Sequence, residues 1–512
     1  MKKNCLEKIL ILSTESSMEY NYKKLSDLQT RINRLNHLKE IAFWDQATNM
    51  SEKGLNARSE AIAELSQIVH ELECDPNNKK VIFDAENEDL SETERANLVE
   101  IKRKFERKEI IPKELLKKKH IAASRCEHGW RKQRFDNDWK SFLKNFKEVV
   151  TYSREEAKIL AEKFEVSPYE ALMDKYEPHL SEKFVDALFD EIKSWLPTLL
   201  NKVLAKQAND PMIVTEGSFQ IEKQKQLGLE IMEVLGFDFR AGRLDESIHP
   251  FCGGTPEDVR ITTRYKKTEF LPALMGTIHE TGHARYEQNL PGSLLNQPVG
   301  QARSMSIHES QSLFFEKHIG GHPRFIERIH PKILSNFGEQ PSTKLENLKR
   351  LILKVKPSFI RVDADEITYP AHIILRYEIE KGLINGDVEA EDIPQLWDEK
   401  MEELLGISTK GKFCDGPMQD VHWPEGLFGY FPCYTLGALY AAQWRAMIQL
   451  EHSNFDDIVG NENLNSIFHW LDKNIWKNAS IKSTDKLTTD ASQGSNLNVD
   501  YFKTHLESRY LS

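Results

Sequence analysis

The chain has 512 residues, of which 39% are hydrophobic and 29% charged, and its net charge is −11. That is enough apolar material for a sizeable core under a water-facing surface, and the acid excess argues against a general nucleic-acid binder, which needs a basic footprint. No apolar run approaches the roughly 18 residues that a membrane span requires.

Taken in order, residues 1–18 read as a poorly determined leader. Lys2-Lys3 precedes Ile9-Leu10-Ile11-Leu12, but Glu7 and Lys8 interrupt the apolar part, so a secretory signal is not expected. Length alone suggests about three domains. No linker cuts the chain, however, so residues 19–512 are expected to form one helical domain with its functional core at about 245–435. The six cysteines show no C-x-x-C spacing and read as free thiols in a reducing compartment, hence a cytoplasmic protein. Cys252 and Cys414 read as small apolar fillers rather than catalytic thiols.

Leu25, Leu28, Ile32, Leu35 and Ala42 recur at mostly three-to-four spacing and predict an amphipathic helix that ends near Trp44. Residues 100–120 are basic, yet Glu106, Glu109 and Glu114 are interleaved. A solvated helix face with i,i+3 and i,i+4 partners is therefore expected ahead of a phosphate-binding stripe. Phe184, Leu188, Ile192, Trp195 and Leu199 mark another long helix. At 258–265, Val259, Ile261 and Tyr265 alternate with Arg260, Thr262 and Arg264, the period of a half-buried strand. Such a strand offers main-chain groups to an extended peptide, with Arg260 directed at it. The competing reading pairs Arg260 with a nearby acid.

The next stretch carries the chemistry. Thr277-Ile278-His279-Glu280-Thr281-Gly282-His283 contains H-E-x-x-H. Phe270, Leu274 and Ile278 recur every four residues, Pro272 suits a first turn, and Leu290-Pro291-Gly292 is a stop signal, so a helix of about five turns is expected. On it His279 and His283 overlap on one face and present two imidazoles to one point, the requirement of a zinc ion with nitrogen ligands. Glu280, one step round the helix, is placed to take a proton from an attacking water. Two structural histidines on a buried face would explain the pattern without metal, so a third ligand is sought. Tyr286 and Asn289 stand where a metzincin has Gly and His. What remains is a carboxylate from a later helix, and Glu309 sits on the run that starts at Ser306 and continues through Phe314 and Phe315 to Gly320-Gly321.

Downstream, Arg361 is followed by Asp363, Asp365 and Glu366, then an apolar helix through Ile373, Ile374 and Tyr377. A guanidinium grips a carboxylate bidentately. Arg361 is thus a candidate clamp for a peptide's free C-terminus, against the alternative of pairing with one of those acids. Asp363, Asp365 or Glu366 is a candidate to orient a metal-bound histidine. In the Gly- and Pro-rich segment 411–434, His422, Tyr430 and Tyr434 are candidate donors to a developing oxyanion. For Tyr434 the alternative is packing at the start of a helix over 435–450. Residues 477–498 have a linker-like composition, but Tyr501 to Leu511 restores an apolar pattern.

His279-Glu280-Thr281-Gly282-His283 with His308-Glu309-Ser310-Gln311-Ser312 resembles the carboxypeptidase Taq family of thermostable zinc metallocarboxypeptidases. Further matches run over most of the chain. They include Trp44-Asp45-Gln46 ending the first arm of a helical hairpin, the stretch Pro168 to Pro178, His249-Pro250-Phe251, and Asp258, Arg260 and Thr262. They continue with Arg361 through Glu366 and with Gly416-Pro417-Met418-Gln419-Asp420-Val421-His422-Trp423. Two positions depart from the family: Ser51 stands where a proline is expected and Trp476 where a histidine is expected. The resemblance implies a mainly α, elongated protein with a deep active-site cleft between lobes and a small antiparallel sheet beside the zinc helix. It implies a broad-specificity zinc carboxypeptidase acting on peptides with a free C-terminus, one Zn2+ per chain with Co2+ as a substitute, and a homodimer; the charge and the lack of a long apolar run lead us to expect no nucleic-acid or membrane partner. An endopeptidase or aminopeptidase built on the same ligands is the alternative.

Overall fold

The computed structural model describes residues 20–247, 250–461 and 463–512. The expected leader over 1–18 and His249 of the His-Pro-Phe match lie outside the described residues. The chain divides into two compact units.

One unit comprises Met1–Glu109 with the short return Ser293–Gln301. Its helices are α1 (Asn21–Thr48), α2 (Leu55–Glu73), α3 (Asn77–Ala85) and α4 (Glu92–Glu109). Glu88 caps α1 by accepting from the Asn21 and Tyr22 N–H groups, a carboxylate at the positive end of a helix. Helices α1 and α2 form the expected hairpin, with Arg58 donating to the Ala42 carbonyl and pairing with Asp45 at 2.7 Å. Trp44 is buried. Leu25, Ile82, Leu98, Ile101 and Phe105 make the small core of this unit. The basic run pairs mostly with neighbouring helices rather than along its own: Lys102 with Glu86 and Lys108 with Glu73, both at 2.5 Å.

The other unit comprises Ile110–Gly292 and Ala302–Ser512. Its first helices are α5 (Lys113–Phe135), α6 (Trp139–Phe164), α7 (Pro168–Met173), α8 (Glu182–Gln207) and α9 (Ile221–Val234). Ser167 and Ser181 cap α7 and α8 with their hydroxyls. Three strands follow, β1 (Gly242–Glu246), β2 (Cys252–Thr255) and β3 (Asp258–Thr263), in the order β1-β3-β2. The sheet is mixed: β2 and β3 are antiparallel as expected, but β1 runs parallel to β3. The chain leaves β1, crosses to the far side as β2, and only then turns back into the centre. Val259 and Ile261 are fully buried against Met232, Phe237 and Ala284. Thr262 is buried too, where alternation predicted exposure, because its hydroxyl accepts from the Phe251 N–H at 3.1 Å.

Next come α10 (Leu271–Gln288), α11 (Met305–Leu313), a π-helical segment (Phe314–Gly320), α12 (Pro323–Phe337), α13 (Leu345–Ile352), α14 (Tyr369–Asn385) and α15 (Ile393–Leu405). The rest is α16 (Pro432–Glu451), α17 (Phe455–Gly460), α18 (Asn465–Asn474), α19 (Thr484–Ala491) and α20 (Val499–Leu511). The linker-like tail is therefore folded. Arg509 of α20 donates to the carbonyls of Lys317 and Gly321 at 2.8 and 2.7 Å, closing the end of the π-helical segment. It also pairs with the buried Glu366 at 3.3 Å, which accepts in addition from His505 and Tyr510. Removing a cation from such a pair strands a buried carboxylate. Arg509→Ala is expected to lower stability by about 3–5 kcal/mol, read as a lower urea midpoint at unchanged slope. A loss under about 1 kcal/mol would show that the contact is ornamental.

Candidate metal centre

Helix α10 spans the predicted five turns, with Pro272 in its first turn. The threonines of the motif fit inside a helix because Thr277 and Thr281 donate back to the carbonyls of Ala273 and Thr277. Gly282 has a specific task. A Cβ there would lie 2.5 Å from the Gln311 carbonyl oxygen and 2.7 Å from the Ser312 Cα. Only a glycine lets α10 and α11 cross this closely. On the far side of α11, a Cβ on Gly437 of α16 would lie 2.8 Å from the Glu309 Cβ. Glu309, the candidate third ligand, thus rides on a helix held between two close approaches.

The result is convergent. Glu309 Oε2 lies 3.4 Å from His283 Nε2 and 3.8 Å from His279 Nε2. Donors around a tetrahedral ion with bonds of about 2.0–2.2 Å are about 3.3–3.6 Å apart, so the three atoms already stand near the required spacing. The other ring nitrogens are occupied. His279 Nδ1 meets Glu316 Oε2 at 2.8 Å. His283 Nδ1 meets His308 Nδ1 at 2.6 Å, and His308 Nε2 meets Glu287 Oε1 at 2.7 Å. One proton arrangement satisfies all three contacts: His283 donates to His308, His308 donates to Glu287, and His279 donates to Glu316. It leaves both Nε2 lone pairs aimed at the triad's centre. The candidates put forward for this orienting role are engaged elsewhere. Asp363 is exposed, Asp365 accepts from the Ile367 and Thr368 N–H groups, and Glu366 belongs to the Arg509 cluster.

A second group, His318, Glu366 and His505, has a similar outline. It is a poor cation site, because Glu366 is already bound by His505, Tyr510 and Arg509. At the first group the charge balance runs the other way. Burial alone would lower His279, but the Glu309 and Glu316 carboxylates outweigh it and lift the imidazole to about 9. Burial, with His308 adding to it, lowers His283 to about 4, which keeps it neutral as a ligand must be. The carboxylates around His279 call for positive charge, and a divalent cation supplies it in place of the His279 proton. The donor set fits a zinc-type ion. Burial raises Glu280 to about 7, against the lowering effect of His279.

Three phenols gather beside the triad. Tyr369, Tyr430 and Tyr434 all feel the Glu309 charge, and burial, the largest influence on each, keeps them protonated. Tyr430 stacks edge-on against Tyr176. Tyr434 shares a hydrogen bond of 3.1 Å with His422 Nε2, while burial lowers His422 to about 3 and leaves it neutral. Arg361 is buried, its Nε and Nη2 on Asp420 Oδ1 at 3.0 and 2.8 Å and its Nη1 on the Tyr369 hydroxyl at 2.7 Å. Its acid is therefore Asp420, not one of the three that follow it in sequence. Arg376 holds the other Asp420 oxygen at 2.6 Å. Arg260 is paired with Asp258 two residues away. Its strand β3 is the middle one, with both edges occupied, so a peptide has no free edge there. Trp476, at the position that departs from the family, donates to Gln311 on α11 at 2.8 Å.

Two imidazoles and a carboxylate around one point, with a second carboxyl beside them, make a donor set that fits a divalent metal ion of a metallopeptidase. Residues 24–510 match the carboxypeptidase Taq (M32) metallopeptidase family. The chain is 36% identical over 497 residues to carboxypeptidase 1 of Bacillus subtilis, covering 95% of this chain and 97% of that protein. It is 37% identical over 441 residues to thermostable carboxypeptidase 1 of Thermus thermophilus, covering 83% and 86% respectively. Among solved structures, Trypanosoma cruzi metallocarboxypeptidase 1 superposes with a TM-score of 0.94 at 42% identity, over 96% of this chain and 99% of that one. The chain belongs to the carboxypeptidase Taq family and is a metallocarboxypeptidase.

If the helix crossing sets the ligand spacing, Gly282→Ala should weaken zinc binding at least about 10-fold, measured by chelator competition on folded protein. Unchanged affinity would mean that the crossing has slack.

Proposed function

We propose that the chain removes C-terminal residues from peptides of varied sequence using one zinc per chain on His279, His283 and Glu309, a site that cobalt also fills. The observation that carries this reading is the 3.4 and 3.8 Å approach of Glu309 to two imidazole nitrogens whose partner nitrogens are engaged. When bound there, zinc supplies a Lewis acid for the scissile carbonyl and lowers the pKa of a water. Glu280 accepts that water's proton as it attacks and returns it to the leaving amine. Tyr430 and Tyr434 are the donors proposed for the oxyanion, with His422 holding the Tyr434 hydroxyl in place.

For the substrate's free carboxylate, the group of Arg361, Arg376 and Asp420 is the proposed attractor. Two guanidinium ions against one carboxylate leave a net positive charge buried beside the phenols. Because Nε and Nη2 of Arg361 already hold Asp420, contact with substrate runs through Nη1 and the neighbouring Tyr369 hydroxyl. Arg260, closed on Asp258, has no part in this reading. A cytoplasmic homodimer completes the proposal. The dimer rests on family resemblance, and the free state of Cys74, Cys126, Cys252, Cys414 and Cys433 supports the compartment.

Glu280→Gln should keep zinc at one per chain and lower kcat by about 10^2- to 10^4-fold. Near-normal turnover would remove Glu280 from the mechanism. Amidating the C-terminus of a peptide should slow release of its last residue by about 10-fold or more, since a charged hydrogen-bonded contact is worth about 1.5–3 kcal/mol. Mass analysis of the digest also separates the alternatives, because internal cuts or loss of N-terminal residues would mark an endopeptidase or an aminopeptidase.

A further inference from the structure

Helix α14 turns two ionisable side chains, Arg376 and Glu380, into the interior, and neither is exposed at all. They are four residues apart and so share one face of the helix. Both reach the same stretch of chain, the Gly- and Pro-rich segment that carries His422, Tyr430 and Tyr434. Arg376 takes Asp420, with Nε on Oδ2 at 2.8 Å. Glu380 takes two points further on: Oε1 accepts from the Trp423 Nε1–H at 2.8 Å and Oε2 from the Gly429 N–H at 3.0 Å. Oε2 also accepts from the Tyr169 hydroxyl of α7 at 2.8 Å. His422 therefore stands directly before one Glu380 anchor, and Tyr430 directly after the other.

These contacts leave Glu380 one workable form. Indole and backbone N–H groups only donate, so both carboxyl oxygens have to accept. Burial raises this carboxyl to about 7, while the three donors and Arg376 favour its charge. The anchors themselves have little room to shift. A Cβ on Gly429, at φ +88°, would fall 2.8 Å from the Met173 backbone nitrogen of α7. Trp423 packs edge-on to Trp397 with ring centroids 5.6 Å apart. One residue away from the anchors, His422 Nε2 meets the Tyr434 hydroxyl at 3.1 Å and the Tyr430 ring lies edge-on to Tyr176.

We propose that Glu380 is a positioning residue: by fixing Trp423 and Gly429 it sets where His422 and Tyr430 stand. The inference rests on the proposed carboxypeptidase reading, in which Tyr430 and Tyr434 serve the oxyanion and His422 holds Tyr434, and it adds what holds this group in turn. Glu380 acts through its two anchors and not on the reacting atoms. That route is effective because a misplacement of about 1 Å at the reaction centre costs up to about 100-fold in rate.

Glu380→Gln keeps the shape but offers one oxygen and one NH2 group, so a donor faces a donor at Trp423 or at Gly429. The zinc-loaded full chain is compared with this variant at about pH 8, above the value of the carboxyl. Amide hydrogen exchange over 422–430 should run at least about 10-fold faster in the variant, with exchange in α9 unchanged. Release of the last alanine from acetyl-hexaalanine, counted per zinc-loaded molecule, should lose about 10-fold or more in kcat, with KM held within about 2-fold. Adding Trp423→Phe removes a donor that opposes the new NH2 group and should restore about 3-fold in kcat, a rescue that a general loss of stability would not show. Should Glu380→Gln not fold, Trp423→Phe alone decides, with faster exchange and a fall of about 3-fold in kcat expected. Unchanged exchange, or faster exchange at unchanged kcat, overturns the positioning role and leaves the carboxypeptidase intact. If the parent protein does not shorten the peptide from its C-terminus, the activity falls and this role with it.

Discussion

The close crossing of α10 and α11 is the constraint on which the rest depends. A side chain on Gly282 would meet the backbone at Gln311 and Ser312, and one on Gly437 would meet Glu309 from the other side. Glu309 has a short side chain relative to the distance between packed helices, usually 8–10 Å between axes. It reaches two histidines on the neighbouring helix because these backbones come nearer than ordinary side chains allow. The glycine inside H-E-T-G-H is therefore as necessary to the proposed ligand set as the histidines flanking it.

Much of this was legible before the structure. H-E-x-x-H works through the periodicity of one helix, so His279, Glu280 and His283 are related by sequence spacing alone. Glu309 could be reached because it opens the next helical run and the first pattern demanded a third donor. Helices α1 and α10 and strand β3 followed from short-range apolar periods, and the hairpin of α1 and α2 from the family resemblance. The parallel pairing of β1 did not, since it depends on where a connection crosses rather than on any residue in the strand.

What the sequence hid was mostly the second layer. Glu316 lies seven residues after Glu309 and faces His279 by way of a π-helical turn, whose register shift leaves no mark in the apolar pattern. His308 stood in the motif beside Glu309, but its link to His283 and Glu287 exists only once the two helices pack. Arg361 had three acids close by in sequence, yet it pairs with Asp420, 59 positions away. For a guanidinium buried at that depth the partner is chosen by the tertiary fold: Asp363 points to solvent, Asp365 caps the next helix, and Glu366 is taken by Arg509, His505 and Tyr510. Tyr369 shows the same limit: it reads as one more aromatic at a helix start, and acquires meaning only through Arg361 and the Glu309 field.

The π-helical segment also sets an order of events. Its far end is tied down by Arg509, in the last helix of the chain, while its near end presents Glu316 to His279. During synthesis the histidines leave the ribosome more than two hundred residues before Arg509. A nascent chain therefore holds the three candidate ligands long before the turn that orients His279 is fastened. The proposed ion site is thus oriented in full only once α20 has docked on that segment.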